Sequence, residues 1–466
     1  MTRPSLPRLL ALTFLVGPLA AARAADGPAR GPSAPDGPVS FSREVSPILQ
    51  RKCQGCHQPA KANGKLDLTT FEALRAGGAS GPSFEPGDPG EGSLIENVGG
   101  KAPAMPPNAP PLTPDEVATL TRWVAQGGTD DTPPRARDTI DPDHPPAYAA
   151  PPVITALAFS PDGQSLAVSG YREVLVHKGD GSGLVRRLVG QAQRVESLTF
   201  SPDGATLAAV GGSPGRFGEV QFWDPAAGKL RGAARSTHDT LYGGAFTPDG
   251  ARFAFGAADN SARVVEVKDG REVLKVDSHS DWVFGTTYSR DGKHLITLGR
   301  DGALKLIEAA TGSFIDDIGK NYGELKVLAR NPKDDTVAIG GDERIPRLYK
   351  IYRTQARDPS YTDFNLLRAF EAQPGPISAI AFAPDGATLA VGGAGGEARL
   401  YRAADGARVA TLPGHKGGIY ALAFAPDGAR VATGGFDGTV RIFATADGKP
   451  LAQFAPVPIE SPVAAR

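Results

Sequence analysis

Cysteine is very scarce in this sequence of 466 residues, which contains only Cys53 and Cys56. A zinc site built on two cysteine pairs is excluded, because no second pair exists. If both thiols are used elsewhere, none remains for a structural disulfide. Charge of either sign in excess is also lacking, since the formal net charge is -1. Composition therefore gives no reason to expect a nucleic acid or an anionic membrane surface as a partner.

Long apolar runs are absent except near the amino terminus. Arg3 and Arg8 are followed by an apolar stretch from Leu9 to Ala20, and small residues stand at Ala22 and Ala24. This order predicts a secretory signal peptide over residues 1–24, cut after Ala24. A retained anchor is the alternative, although the stretch is short for a bilayer. We expect the mature chain to be exported, periplasmic in a bacterium, and to have no transmembrane segment.

Turn-forming residues are abundant, with 58 glycines and 42 prolines. Such a composition is typical of β-structure with many short strands. The length allows two or three domains.

The two cysteines belong to the sequence Cys53-Gln54-Gly55-Cys56-His57. This is C-x-x-C-H, the attachment sequence of c-type haem. On one helical turn, both thiols can form thioethers to the haem vinyl groups, and His57 can offer a nitrogen to the iron. A lone disulfide, a thioredoxin-like motif and half a zinc site are the alternatives, but the βαβ context of a thioredoxin fold is missing. Export agrees with the haem interpretation, because this haem is attached outside the bacterial cytoplasm.

Helical patterns surround the motif between residues 39 and 128. One helix is predicted to run into Cys53, with Val45, Ile48, Leu49 and Lys52 along it. A second helix should begin with Thr113 as N-cap, Pro114 in the first turn and Glu116 completing a capping box. Gly127 and Gly128 should end it. Its apolar face comprises Val117, Leu120, Trp123 and Val124, and we interpret Trp123 as a packing residue.

Methionine is as scarce as cysteine, with only two residues. Met1 would leave with the signal peptide, so Met105 is the one methionine left to bind the iron opposite His57. It is followed by Pro106 and Pro107, which limit the freedom of the loop. His/Met ligation raises the potential and suits electron transfer. A methionine that only fills the core is the alternative, and His144 is a less favoured ligand candidate.

These residues resemble the cytochrome c domain that is common in planctomycete-type secreted proteins. The resemblance covers Phe41 to Gly128 and implies one covalent haem c on Cys53 and Cys56, with His57 and Met105 as axial ligands. The matching pieces are Phe41-Ser42-Arg43-Glu44-Val45, Pro47-Ile48-Leu49, Leu66-Asp67-Leu68, Pro86-Gly87-Asp88-Pro89, Ser93-Leu94-Ile95, Met105-Pro106-Pro107, Leu112-Thr113, Trp123 and Gly127.

Residues 129–152 are rich in proline and aspartate. A segment of this composition is expected to stay extended and unpacked, as a semi-rigid spacer between domains.

After the spacer, the chain repeats itself. A motif of the form Phe-Ser-Pro-Asp-Gly recurs seven times, once in a degenerate form, at spacings of 41 to 52 residues. A period of this length with four short strands per unit is the signature of a β-propeller. The sequence therefore predicts seven blades over residues 153–456. The motif positions are 159–163, 200–204, 246–250, 288–292, 329–333, 382–386 and 424–428.

The repeats resemble the WD-repeat family, although a literal Trp-Asp pair occurs once, at Trp223-Asp224. An insertion near residues 354–364 of blade five is a candidate contact loop. No strand is expected to be shared between the first and last blades, and a strand from the spacer is one way to close the ring. We interpret the recurring His and Asp residues as structural: His238, His279, His415, Asp259, Asp301, Asp342 and Asp437.

The predicted protein is thus multidomain, with a small all-α cytochrome c domain followed by an all-β seven-bladed propeller. We expect an exported monohaem cytochrome that passes single electrons to a redox partner protein, with a propeller that serves as a protein-interaction scaffold rather than an enzyme. One alternative is a haem enzyme whose propeller holds a second haem, with His177 as a possible ligand that is more simply an exposed residue. A redox sensor is the other alternative.

Overall fold

The computed structural model describes residues 37–54, 57, 63–107, 110–132, 140–190, 192–320, 323–354, 363 and 365–459. The predicted signal peptide lies outside these residues, and so does most of the blade-five insertion. The chain divides into two compact units: the first contains residues up to 55 and 64–132, and the second contains 56–63 and 133–466. Within the described ranges, no helix is both long and apolar enough to cross a membrane.

The first unit is a small helical body. A π-helical turn at Phe41–Val45 leads into α1 (Ser46–Lys52), and a 3-10 turn covers Asn63–Lys65. The remaining helices are α2 (Phe71–Ala76), α3 (Ser93–Val98) and α4 (Pro114–Ala125).

Local sequence explains how α4 begins and ends. The Thr113 hydroxyl accepts a hydrogen bond from the Glu116 backbone N–H at 3.2 Å, and the Glu116 carboxylate accepts one from the Thr113 N–H at 2.9 Å. This is the predicted capping box, and it is confirmed. Gly127 and Gly128 end the helix with positive φ angles of 99° and 54°. A side chain at Gly128 would collide with the Phe84 ring, 2.3 Å from an added Cβ.

Trp123 lies at the centre of the first unit and is 1% exposed. Its ring centroid is 4.7 Å from that of Phe84 and 5.4 Å from that of Phe41. Its indole N–H donates to the Thr129 carbonyl at 3.0 Å, so the polar end of a buried side chain is satisfied. The interpretation of Trp123 as a packing residue is confirmed.

The second unit is a seven-bladed propeller, as predicted. Each blade is a four-stranded antiparallel sheet of consecutive strands. Blades one to three contain β1 (Leu157–Phe159), β2 (Ser165–Ser169), β3 (Glu173–Lys178), β4 (Leu184–Val189), β5 (Arg194–Phe200), β6 (Leu207–Ser213), β7 (Phe217–Asp224), β8 (Lys229–Thr237), β9 (Leu241–Phe246), β10 (Arg252–Ala257), β11 (Ala262–Glu266) and β12 (Glu272–Val276).

Blades four to seven follow the same plan. Their strands are β13 (Val283–Tyr288), β14 (His294–Gly299), β15 (Ala303–Glu308), β16 (Phe314–Lys320), β17 (Leu325–Arg330), β18 (Thr336–Gly341), β19 (Arg347–Lys350), β20 (Leu366–Ala369), β21 (Ile377–Phe382), β22 (Thr388–Gly393), β23 (Ala398–Arg402), β24 (Arg408–Leu412), β25 (Ile419–Phe424), β26 (Arg430–Gly435), β27 (Val440–Ala444) and β28 (Pro450–Phe454).

The recurring Pro-Asp-Gly motif forms the turn between the first two strands of a blade. In blade one, the Asp162 carboxylate accepts hydrogen bonds from the Ser160 hydroxyl and the Gln164 N–H, at 2.5 and 3.0 Å. Gly163 follows with a φ of 70°, a conformation that glycine adopts without strain. The aspartate bonds and the glycine conformation together stabilise the turn. The same turn is needed in every blade, so the motif recurs with the blades.

The ring closes without a shared strand among the described sheets. Blades seven and one meet through the Ile154 N–H, which donates to the Gly435 carbonyl at 3.0 Å. Arg430 adds a bond to the Gly179 carbonyl at 2.9 Å. Tyr148 and Ile459 form an isolated parallel bridge, so a residue of the expected spacer contributes to closure.

The last part of the expected spacer is therefore not unpacked, and that prediction is wrong for it. Tyr148 is 6% exposed and belongs to an apolar cluster of the first and last blades. Its hydroxyl donates to the Glu173 carboxylate at 2.7 Å, and Arg187 pairs with the same carboxylate at 2.7 Å. Proline and aspartate around Tyr148 predicted an extended chain, but the buried Tyr148 ring and its bond to Glu173 hold this segment against the propeller.

Candidate functional site

The predicted haem-attachment residues begin where α1 ends. Cys53 is the C-cap of this helix, and its backbone N–H donates to the Leu49 carbonyl at 2.9 Å. The predicted helix that runs into Cys53 is therefore confirmed. The Cys53 side chain is partly buried against the apolar core of the first unit. His57 is also partly buried, and Cys56 lies outside the described residues.

Burial changes the chemistry of the Cys53 thiol. Loss of contact with water, followed by the negative charge of Glu116, raises the pKa of Cys53 to about 11. The thiol is therefore protonated at neutral pH, whereas nucleophilic and zinc-binding cysteines act as thiolates. An uncharged thioether, by contrast, suits an apolar surface. The surroundings of Cys53 thus fit haem attachment better than they fit a redox dithiol or a zinc ligand.

Met105 reaches the same apolar core from a different part of the chain. Its side chain is partly buried against the core cluster that Cys53 also contacts. Its backbone N–H donates to the carbonyl of Asn97, in α3, at 2.9 Å. The fold therefore places the predicted attachment cysteine and the predicted axial methionine on one hydrophobic cluster. That cluster comprises Val39, Phe41, Val45, Ile48, Leu49, Leu68, Leu74, Phe84, Leu94, Val98, Leu112, Leu120, Trp123 and Val124.

His144, the less favoured ligand candidate, lies in the second unit. Its side chain is 71% exposed, and its Nδ1 lies 3.0 Å from the Asp141 carboxylate. Within the described ranges, no group of three or more His, Cys, Asp or Glu residues could hold a metal ion by itself.

Two histidines of the propeller form the same hydrogen-bonded group in different blades. His279 Nδ1 lies 3.0 Å from Asp301, and its Nε2 lies 2.8 Å from the Thr297 hydroxyl. Burial alone would raise the pKa of Asp301, but bonds from His279 and the Ser280 N–H lower it to about 2. In blade seven, His415 bonds Asp437 and Thr433 in the same way. The structural interpretation of these residues is confirmed.

Blade three departs from this pattern. His238 is exposed, and the neighbouring Asp239 accepts the Thr240 N–H at 2.7 Å instead. Asp259 binds the Ser261 hydroxyl at 2.5 Å and the Arg263 guanidinium at 2.6 Å. The expected structural role is thus wrong for His238, because an arginine from the next strand replaces the histidine as the partner of Asp259.

His177 is buried, and the expectation that it is exposed is wrong. It is 3% exposed, with its Nε2 2.9 Å from the Pro456 carbonyl and its ring 4.8 Å from that of Phe454. Burial lowers its pKa, against the opposing effect of the Pro456 carbonyl. His177 therefore packs between the last and first blades, and its Nε2 is already hydrogen-bonded to the Pro456 carbonyl.

Sequence reasoning missed the channel along the propeller axis. It has a volume of about 860 Å³ and is lined by the innermost strands of all seven blades. Charged and aromatic side chains enter it near the start of these strands, among them Arg194, Glu196 and Tyr242. Comparing the first three residues of each innermost strand across the repeats would have found them.

Comparison with known families matches both parts of the chain. Residues 53–109 match the family model of planctomycete cytochrome C, a range that contains Cys53, Cys56, His57 and Met105. Residues 364–402 and 406–443 match the WD domain, G-beta repeat. The chain therefore combines a segment similar to planctomycete cytochrome C with a seven-bladed propeller, two stretches of which match the WD repeat.

Individual relatives share parts of this chain. An uncharacterized WD repeat-containing protein of Synechocystis sp. is 31% identical over 97 residues, which are 21% of this chain and 28% of that protein. The meiotic recombination protein rec14 of Schizosaccharomyces pombe is 23% identical over 28% of this chain and 45% of its own length. Eukaryotic translation initiation factor 3 subunit I of Bombyx mori is 24% identical over 29% of this chain and 42% of its own length. Each alignment spans less than half of the relative.

Proposed function

We propose that this protein is an exported monohaem c-type cytochrome that transfers single electrons, with its propeller serving as a docking scaffold. Cys53 and Cys56 would hold one haem through thioethers, and His57 and Met105 would bind its iron from opposite sides. The haem supplies an iron that alternates between Fe(II) and Fe(III). The chain supplies an apolar surface, two sulfur attachment points and two axial ligands.

One observation carries this proposal: Cys53 and Met105, distant in sequence, contact the same apolar cluster. A haem is a largely apolar group, and the side chains around it control its potential through burial and ligand identity. The match of residues 53–109 to planctomycete cytochrome C supports the same assignment. Export is supported by the amino-terminal sequence and by the compartment in which C-x-x-C-H haem attachment takes place.

The second half of the proposal is that the propeller binds a partner protein. WD-repeat propellers as a class mediate contacts between proteins, and a fold alone does not name the partner. A redox partner at the haem and a protein partner at the propeller are two separate expectations. A second haem on His177 is not supported, because this side chain is 3% exposed and its Nε2 lies 2.9 Å from the Pro456 carbonyl.

The proposal is tested by the optical spectrum of the full protein, exported with a haem-attachment system, beside Met105→Ala. We expect a haem that survives denaturation, one iron per chain, and a far-red ferric band of sulfur ligation that disappears in the variant. Ile95→Ala is the matched control, because Ile95 packs on the same cluster but offers no sulfur. Its far-red band should remain.

Two outcomes would contradict the assignment. Absence of covalent haem would remove the proposed cofactor altogether. A covalent haem whose far-red spectrum is the same in Met105→Ala would exclude Met105 as the axial ligand, and it would favour the enzyme or sensor alternatives.

A further inference from the structure

One face of the propeller carries the mouth of the axial channel, and we call it the entry face. It is the face where the innermost strand of each blade begins. Because the strands are antiparallel, the loops between second and third strands also end there. Val153, Tyr171, Tyr420 and Phe436 of the first and last blades line the channel on this face, and Phe436 and Tyr171 are 60% and 44% exposed. This apolar rim is the first of three features at the mouth.

The second feature is a carboxylate in the channel wall. The Glu196 side chain is 20% exposed, and its described ion-pair partner, Arg194, lies 3.9 Å away and is 64% exposed. That distance is too long for a hydrogen bond. Burial raises the pKa of Glu196, against the opposing charge of Arg194. A carboxylate withdrawn from water without a close donor is costly, so a donor supplied by a ligand would stabilise it.

Aromatic rings stand beside this carboxylate. Tyr242 and Phe284 line the channel, with their ring centroids 5.1 Å apart. Tyr242 also stacks on Trp282, with centroids 6.0 Å apart and planes inclined by 19°. The pKa of Tyr242 is raised to about 12 by burial and then by the negative charge of Glu196. Aromatic faces attract cations.

Two further positive charges on this side of the ring are held in ion pairs. Lys326 lies 2.5 Å from the carboxylate of Asp342. Arg300 lies 2.9 Å from Glu324 and 3.8 Å from Asp281. Among the described residues that line the channel, Glu196 is the one acidic side chain, and its basic neighbour Arg194 does not come within hydrogen-bonding distance of it.

We propose that the channel mouth binds a basic side chain, lysine or arginine, of an extended segment in a partner protein. Glu196 accepts hydrogen bonds from the cationic group, and Tyr242 and Phe284 contact its apolar stem. Apolar neighbours in the same segment contact the rim of Val153, Tyr171, Tyr420 and Phe436. This inference rests on the proposed role of the propeller as a protein-binding scaffold and names the chemistry that it recognises.

The test is isothermal titration calorimetry of the full exported protein with a short probe, acetyl-Leu-Lys-Leu-amide. The same peptide with Nε-acetyl-lysine keeps the stem and removes the charge. We expect the lysine peptide to bind at least about tenfold more tightly, a difference of about 1.4 kcal/mol. Glu196→Gln should reduce this preference to less than about threefold.

Glu308→Gln is the matched control. Glu308 also has a basic neighbour 3.9 Å away, His294, but it ends the third strand of its blade on the opposite face. Its variant should keep the full preference for lysine. If Glu196→Gln does not fold, the comparison of the two peptides on the native protein still shows whether the channel mouth prefers a charged lysine.

Equal binding of the charged and acetylated peptides, or no binding of the lysine peptide, would overturn the inference. So would an undiminished preference in folded Glu196→Gln. Tighter binding of acetyl-Leu-Glu-Leu-amide would also overturn it, while leaving the propeller as a protein-binding scaffold. None of these results bears on the haem, whose assignment is tested separately by the spectrum.

Discussion

At the scale of single residues, Asp301 holds one corner of blade four. Its carboxylate accepts bonds from His279 Nδ1 at 3.0 Å, the Ser280 N–H at 3.0 Å and the Ala303 N–H at 3.2 Å. These bonds outweigh the effect of burial, so the pKa of Asp301 falls from 3.8 to about 2. A charged acceptor with three donors fixes the loop, the histidine and the neighbouring strand together.

We predict that Asp301→Asn destabilises the propeller and weakens its dependence on acid. The folded carboxyl has the lower pKa, so its contribution is full above about pH 4 and is lost as the pH falls through about 2. At pH 7 the loss should be on the order of 2 kcal/mol, as for bonds to charged groups. Between pH 4 and 2, the variant should lose less stability than the native protein.

Urea unfolding at several pH values, followed by tryptophan fluorescence, measures both effects. Asp277→Asn is the control, since Asp277 is 62% exposed and pairs with Lys275 on the surface. If Asp301→Asn and the native protein lose stability in parallel below pH 4, Asp301 does not contribute through its charge.

The sequence predicted some of these residues and missed others for a physical reason. His279 and Asp301 lie at repeated positions, and the group that they form is contained within one blade. His177 has its partner 279 residues away, at Pro456. Its burial depends on where the last strand ends relative to the first blade, which no local pattern encodes. Glu196 was missed because only closure of the ring brings the seven innermost strands around one channel.

At the scale of elements, helix α4 depends on its first turn. We predict that Thr113→Ala lowers the stability of the helical unit by about 1 kcal/mol, because the N-cap hydroxyl satisfies the Glu116 N–H. Thr119→Ala is the matched control in the same helix. The Thr119 hydroxyl bonds back to the Asp115 carbonyl at 2.8 Å, a bond that adds little to a helix, so its loss should be neutral or slightly stabilising.

Thermal unfolding of the two variants, monitored by circular dichroism, distinguishes these effects. Equal melting temperatures for Thr113→Ala and the native protein would mean that the capping box does not limit the stability of this unit. A larger loss at Thr119 than at Thr113 would contradict the assignment of the cap.

The elements differ in how far the sequence predicts them. The start of α4 is determined by four adjacent residues, 113–116, which form the capping box. A local pattern of this kind can be predicted from the sequence. Helices α2 and α3 have six residues each, too few for a periodic pattern to be read. They are fixed instead by contacts with the core, through Leu74 in α2 and through Leu94 and Val98 in α3.

At the scale of the whole molecule, the propeller must hold its first and last blades together without a shared strand. Residues that precede the first strand and follow the last strand make the contacts that hold these two blades together. Tyr148 and Ile459 bridge each other, the Pro456 carbonyl meets His177, and Val457 is 5% exposed in the cluster of the two blades. Closure thus depends on segments outside the repeats, and repeat patterns alone could not predict it.

We predict that a chain ending at Phe454 forms a less stable propeller than a chain ending at Ile459. The shorter chain keeps all of β28 but loses the Pro456 carbonyl, the buried Val457 and the bridge to Tyr148. Burial of one valine side chain contributes about 1.5 kcal/mol or more. The buried His177 also loses a hydrogen-bond partner, so the total loss should be about 2 kcal/mol or more.

Denaturant unfolding of the two chains gives the comparison, with the haem spectrum of the helical unit as an internal control that should not change. The longer chain retains every closure contact described here, so it should unfold like the full protein. Matching midpoints for both truncated chains would show that contacts between the strands of the first and last blades close the ring alone. A lower midpoint for the chain ending at Phe454 would assign that role to Pro456, Val457 and Ile459, and it would explain why a segment with the composition of a spacer carries a buried tyrosine.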